Sequence, residues 1–175
     1  MERIIEVHHI ALETDADFED FTKALEQSLG RFDDALLKGI ATDPRSVEDR
    51  LEKAAGEEGL MLFNVQDHGG LLNLFGTPQK GKQYVLGNPL IAATMTRHDI
   101  RAGLYAPLRL FVYAADDGLT RIEYDQPSSL FGQFHHPEVM AVARSLDAKL
   151  ARLIKKAGLL AAERRAGGSP GTGTQ

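Results

Sequence analysis

The chain has 175 residues, 20 of them Lys or Arg and 25 Asp or Glu, for a formal net charge of -5; a chain of this size buries one core, and its acidic balance supplies no basic field for nucleic-acid phosphates. Hydrophobic residues make up 43% and charged residues 26%, proportions that exclude wholesale disorder. Cysteine is absent, which excludes disulfides, thiolate metal sites, iron–sulfur clusters and cysteine nucleophiles.

The N-terminal stretch Met1–Asp15 carries charge and histidine within its one apolar run, so it does not read as a secretory signal. No stretch approaches the roughly 20 apolar residues of a membrane span. A cytoplasmic protein with no membrane contact is the expectation. Ile4 to Leu12, rich in β-branched residues and closed by Glu13-Thr14-Asp15, predicts a first strand. Asp17 caps a helix with Phe18, Phe21, Leu25 and Leu29 at helical spacing before Gly30. Asp43-Pro44 starts a second, with Val47, Leu51 and Ala54 as its stripe. Leu60 to Val65 reads as a short strand bounded by Asp67-His68-Gly69-Gly70, Leu71 to Phe75 as one helical turn, and Gln83 to Leu86 as another strand. Gly87-Asn88-Pro89 stops that strand, and a helical segment starts near Pro89.

Leu108 to Ala114 and Leu119 to Tyr124 flank Asp116-Asp117-Gly118, a hairpin for which Asp-Gly favours a two-residue turn. Leu108, Leu110 and Val112 share one face, and the return strand alternates Thr120, Ile122 and Tyr124 with charged neighbours. This is the pattern of a sheet covered on one side. His136-Pro137 opens a last long helix, striped by Val139, Val142, Ala143, Leu146, Leu150 and Ile154. Near its end Arg152, Lys155, Lys156, Arg164 and Arg165 suit the helix dipole better than a nucleic acid. The expected class is α+β, an antiparallel-rich sheet backed by helices on one face as a two-layer sandwich. One domain is expected over residues 1–165. Ala166 onward, rich in Gly, Ser, Thr and Pro, reads as a disordered tail to residue 175.

The six histidines, His8, His9, His68, His98, His135 and His136, contain no His-x-x-x-His pair, so spacing assigns no metal set. A metal or haem site would have to be assembled across the fold. Asp67-His68 places a carboxylate beside an imidazole for acid/base work, while the competing reading makes Asp67 a helix cap. Neither Gly69-Gly70 nor Gly87-Asn88-Pro89 matches a nucleotide loop, and Ser128-Ser129 lack the setting of a nucleophile elbow. Asp116 and Asp117 are turn residues at a solvated tip. Arg109 and Arg121 are either salt-bridge partners or clamps for an anion.

Asp67-His68-Gly69, Gln83 to Ala92 with its Gly87-Asn88-Pro89, Tyr105-Ala106-Pro107-Leu108-Arg109, and Glu123 to Ser129 occur in this order. Over residues 60–155 they resemble the domain-of-unknown-function 302 family. The resemblance implies a compact α+β fold with a sheet backed by helices and a homodimer. It implies no settled activity and transfers no catalytic residue. The helical segment at Asp43 to Ala55 departs from the family pattern, in which one helix leads into the strand before Asp-His.

Together these readings place a small-ligand pocket where Asp67-His68-Gly69, Gly87-Asn88-Pro89 and Tyr105-Ala106-Pro107 meet at one sheet end. His68, Asn88, Tyr105 and Arg109 are its binding residues. The functional expectation is a homodimeric module that binds a small, anionic ligand or a partner protein, without catalysis or cofactor. One alternative is an enzyme with Asp67 and His68 as acid/base, Arg109 as anion clamp, and Tyr105 or Tyr124 as donor. Another is metal or haem binding through His68, His98, His135 or His136.

Overall fold

The computed structural model describes residues 2–167. Six strands form one sheet in the order β1-β6-β5-β4-β3-β2: β1 (His9–Thr14), β2 (Gly30–Arg31), β3 (Met61–Asp67), β4 (Gly81–Gly87), β5 (Leu108–Ala114) and β6 (Thr120–Asp125). Only β2 and β3 pair in parallel; every other neighbour is antiparallel. The helices are α1 (Phe18–Ser28), α2 (Pro44–Ala54), α3 (His68–Leu71), α4 (Pro89–Thr96), α5 (Pro127–Phe131) and α6 (Pro137–Gly167), with short 3-10 turns between them.

The alternation read from the hairpin sets the layers. Leu62, Leu86 and Leu108 lie in register across β3, β4 and β5, as do Val112, Ile122 and Leu12 across β5, β6 and β1. Against this face pack the buried residues of α1 (Phe18, Phe21, Ala24, Leu25) and of α6 (Val139, Ala143, Leu146, Leu150, Leu153, Ala157). Met61, one residue from Leu62, points to the other side of β3 and closes a second cluster with Val47 and Leu51 of α2.

Local chemistry sets the helix ends. Asp17 accepts from Glu19 N and Asp20 N, Asp43 from Ser46 N ahead of Pro44, and Asn88 from Leu90 N ahead of Pro89. Tyr84, fully buried in β4, donates its hydroxyl to Glu26 of α1 at 3.1 Å. Burial, with that carboxylate beside it, pushes the phenol's pKa up, so it remains a donor. Lys82 and Arg31 also reach Glu26, at 3.9 and 3.7 Å. Tyr84→Phe therefore removes one hydrogen bond and leaves Glu26 partnered, for an expected loss of about 1 kcal/mol in denaturant unfolding. A loss near zero would show the bond contributes nothing.

Four sequence expectations are corrected. The first strand starts at His9 rather than Ile4, since its partner β6 ends at Asp125 and Ile4 stands 93% exposed. The hairpin turn has three residues rather than two. Gly118 N donates to Ala115 O, Ala115 N to Leu119 O, and Gly118 takes a φ of 83°, which is a type I turn closed by a glycine bulge. Arg152 and Lys156 do more than face a helix end. Arg152 holds Glu58 at 2.8 Å, lowering the pKa of that carboxyl, and Lys156 pairs with Glu57, so α6 grips the loop ahead of β3. Finally, α6 runs to Gly167, two residues past the expected boundary; the rest of the expected tail, 168–175, lies outside the described residues.

Candidate functional site

The sheet face opposite α1 and α6 carries Arg109 and Arg121 of the residues considered for chemistry, together with His9. Register places Asn64, Val85 and Arg109 in one row, and the next antiparallel step sets Arg109 across from Asp125, itself paired with His9. Phe111 and Glu123 form the adjacent row. Where the 3-10 turn Ile100–Tyr105 enters β5 through a cis Ala106–Pro107 peptide, a cleft of 530 Å³ opens. Val85, Leu104, Tyr105, Pro107 and Leu130 form its walls, and Arg109 and Asp125 supply its charges.

A polar ladder beside the cleft determines which of those charges is free. Tyr113 donates to Glu123 Oε1 at 2.7 Å, and the imidazole of His9 lies 3.3 Å from Glu123 Oε2 and 3.0 Å from Asp125 Oδ1. The Asp125 contact, with Glu123 adding to it, raises the pKa of His9, and the Glu123 bond raises that of Tyr113. Asp125 is thus taken by His9. Arg109, exposed, has no hydrogen bond or ion pair among the described residues. Arg121 on the same face is committed to Glu13 at 3.0 Å and Asp117 at 2.5 Å.

The four expected binding residues do not converge. Tyr105 and Arg109 line the cleft. Asn88 lines a separate apolar cavity of 220 Å³, bounded by Phe32, Phe63, Met95, Phe131 and the shared Ala106–Leu108 segment. Its side chain is spent, donating to Gly59 O at 2.7 Å and accepting from Leu90 N at 2.8 Å. His68 leaves from the other end of the sheet. Because β3 and β4 are antiparallel neighbours, the exits at Asp67 and Gly87 are separated by the length of β4, roughly 20 Å. The His68 ring rests edge-on to Phe111, 6.0 Å between centroids, so Phe111 stands between it and Arg109 along β5.

Asp67 and His68 form no dyad. The Asp67 carboxylate accepts from Gly70 N at 2.7 Å and caps α3, the competing reading of that pair. Among the histidines, His135 closes a 3-10 turn at a φ of 53°, whereas His98 and His136 lie with ring centroids 4.9 Å apart. The part played by His9 was hidden in the sequence, since pairing with Asp125 and Glu123 follows only from the β1–β6 register; the acidic alternation of β6 was the available signal.

A family model described as "Domain of unknown function DUF302" matches residues 38–157, so the match includes α2, which the sequence pattern had set outside the resemblance. A crystal structure of a conserved DUF302 protein from Bacillus stearothermophilus, described as uncharacterized, has the same fold with a TM-score of 0.62 at 19% identity, covering 85% of this chain and 97% of that one. No curated protein matches. Among the described residues, no helix is long and apolar enough to cross a membrane.

Proposed function

As the chain belongs to the DUF302 family, named for its lack of an assigned function, we propose that it is a homodimeric binding module for a small ligand that joins an anionic group to an apolar body. The observation that carries this reading is Arg109, a guanidinium without a partner among the described residues, at the rim of a cleft whose other walls are mainly apolar. A carboxylate or phosphate accepts two parallel N–H bonds from such a fork, while Val85, Leu104 and Leu130 cover a hydrocarbon portion. Tyr105, packed on Phe131 and Phe134 with centroids 6.1 Å away, is a rigid wall for it. In this reading the module binds its ligand without transforming it. The half-buried Phe111 and Tyr113 on the open sheet face, and the exposed Leu104 at the cleft, support a second copy of the chain over that face.

Hexanoate and hexyl phosphate are suitable probes. Either is expected to raise the melting temperature of the wild-type chain, with a stabilisation of about 2.7 kcal/mol at a hundred times its Kd. Arg109→Ala is expected to bind at least ten-fold more weakly with an unchanged melt in the absence of probe. No shift with either probe, or an equal shift in R109A, overturns the reading of the cleft. Native mass spectrometry checks the dimer, which requires twice the 19.2 kDa chain mass.

A further inference from the structure

A second cluster of side chains stands apart from the cleft, where α4 runs out and α6 begins. His98 follows the last turn of α4, His136 precedes Pro137 at the start of α6, and Glu138 is the second residue of that helix. One ligand atom from each of the three lies within 4.8 Å of the others. The two imidazole rings are inclined by 41°. Nδ1 of His136 sits 2.9 Å from Glu138 Oε2 but makes no hydrogen bond to it. This nitrogen is shut off from solvent and has no hydrogen-bond partner among the described residues.

The 2.9 Å between His136 Nδ1 and Glu138 Oε2 suits two ligands of one metal ion, and the His98 donor, within 4.8 Å, has to draw closer to complete the set. Donor atoms held about 2.1 Å from one ion stand roughly 3.0 to 3.4 Å apart in octahedral or tetrahedral geometry, close to the separation of His136 Nδ1 and Glu138 Oε2. An unsatisfied buried ring nitrogen is costly unless something claims its lone pair. The third donor comes from a different element, which is why no His-x-x-x-His spacing revealed it. We propose that His98, His136 and Glu138 form a binding site for a borderline divalent cation of the Zn2+ or Co2+ type, with the remaining positions held by water. Two imidazoles and one carboxylate select such an ion over Mg2+ or Ca2+, which require more oxygen ligands.

The surrounding charges set the affinity. Asp99 is held by Arg101 through contacts of 2.9 and 2.6 Å, so this neighbouring carboxylate and guanidinium cancel. Arg97 donates to His98 Nε2 at 3.2 Å and is the one cation competing directly for the cluster. The positive end of α6 opposes a bound cation, and Glu138 offsets it.

Titrating Co2+ into the full chain, followed by its visible d–d absorption, and Zn2+ by calorimetry tests the site. One ion per chain with a micromolar Kd is expected. His98→Gln and Glu138→Gln should each weaken it at least ten-fold, Arg97→Ala should tighten it several-fold, and His9→Gln should leave it unchanged. E138Q alters an exposed side chain and keeps the test informative should H98Q fold poorly. Absence of cobalt bands and of zinc heat at millimolar metal overturns the proposal. So does binding that survives in the H98Q/E138Q double variant, because the ion then sits elsewhere.

Discussion

Gly30→Ala is expected to destabilise the protein by about 3 kcal/mol or more, seen as a fall in the urea midpoint at unchanged slope. The short strand β2 passes directly over the end of α2. A Cβ on Gly30 would lie 1.8 Å from Ala54 O and 2.8 Å from Gly56 N, both backbone atoms that cannot rotate away. The same junction is fastened by Leu60 O, which accepts from both Gly30 N and Gly56 N at 3.0 Å. Relieving the clash means parting these bonds and opening the second apolar cluster around Met61. Arg31→Ala, one residue on, removes only an exposed side chain with a 3.7 Å contact to Glu26, and should change stability by no more than about 0.5 kcal/mol. Equal effects at the two positions would show that β2 yields freely and that its contact with α2 is not structural.

Phe21→Ala should cost about 3 to 5 kcal/mol in the same measurement. Phe21 is 1% exposed on the face of α1 that packs against α6 and the sheet, where closely packed helices and strands cannot collapse into the space its ring would leave. Leu74→Ala supplies the contrast. Leu74 is apolar too, but it is 80% exposed, and its removal is expected to stay within about 0.5 kcal/mol. If the two variants melt alike, the packing of α1 against α6 is far looser than the burial of Phe21 requires.

The fold was legible where local chemistry and burial agree. Asp17, Asp43-Pro44, Asn88-Pro89 and His136-Pro137 mark helix starts because capping depends only on adjacent residues. The alternation of Leu108 to Val112 reports a face of the sheet for the same reason. What escaped depends on partners distant in sequence. Gly30–Arg31 is too short for periodicity and is a strand only because β3 lies beside it. Ile4 has the composition of a strand and none of the pairing. For the candidate site, Tyr105 and Arg109 could be paired from the sequence because four residues on one entering segment join them. The expected grouping with His68 failed on strand direction, a property that no single segment encodes. His98 and His136 came together through the packing of two elements nearly forty positions apart.

The β1–β6 pairing has a consequence for how the protein is made. His9 meets Asp125 across 116 positions of chain, and α1 rests on α6, which follows later still. At about 5 to 20 residues per second, the ribosome needs roughly 6 to 23 s after making His9 before its partner exists. Until β3, β4 and β5 follow, the apolar side of α1, with Phe18, Phe21 and Leu25, has no sheet to lie against, and its α6 partner comes later still. The β3–β4–β5–β6 meander, by contrast, can assemble from neighbouring segments as they emerge. Adding β1 to the sheet and covering α1 with α6 are therefore late events in its synthesis.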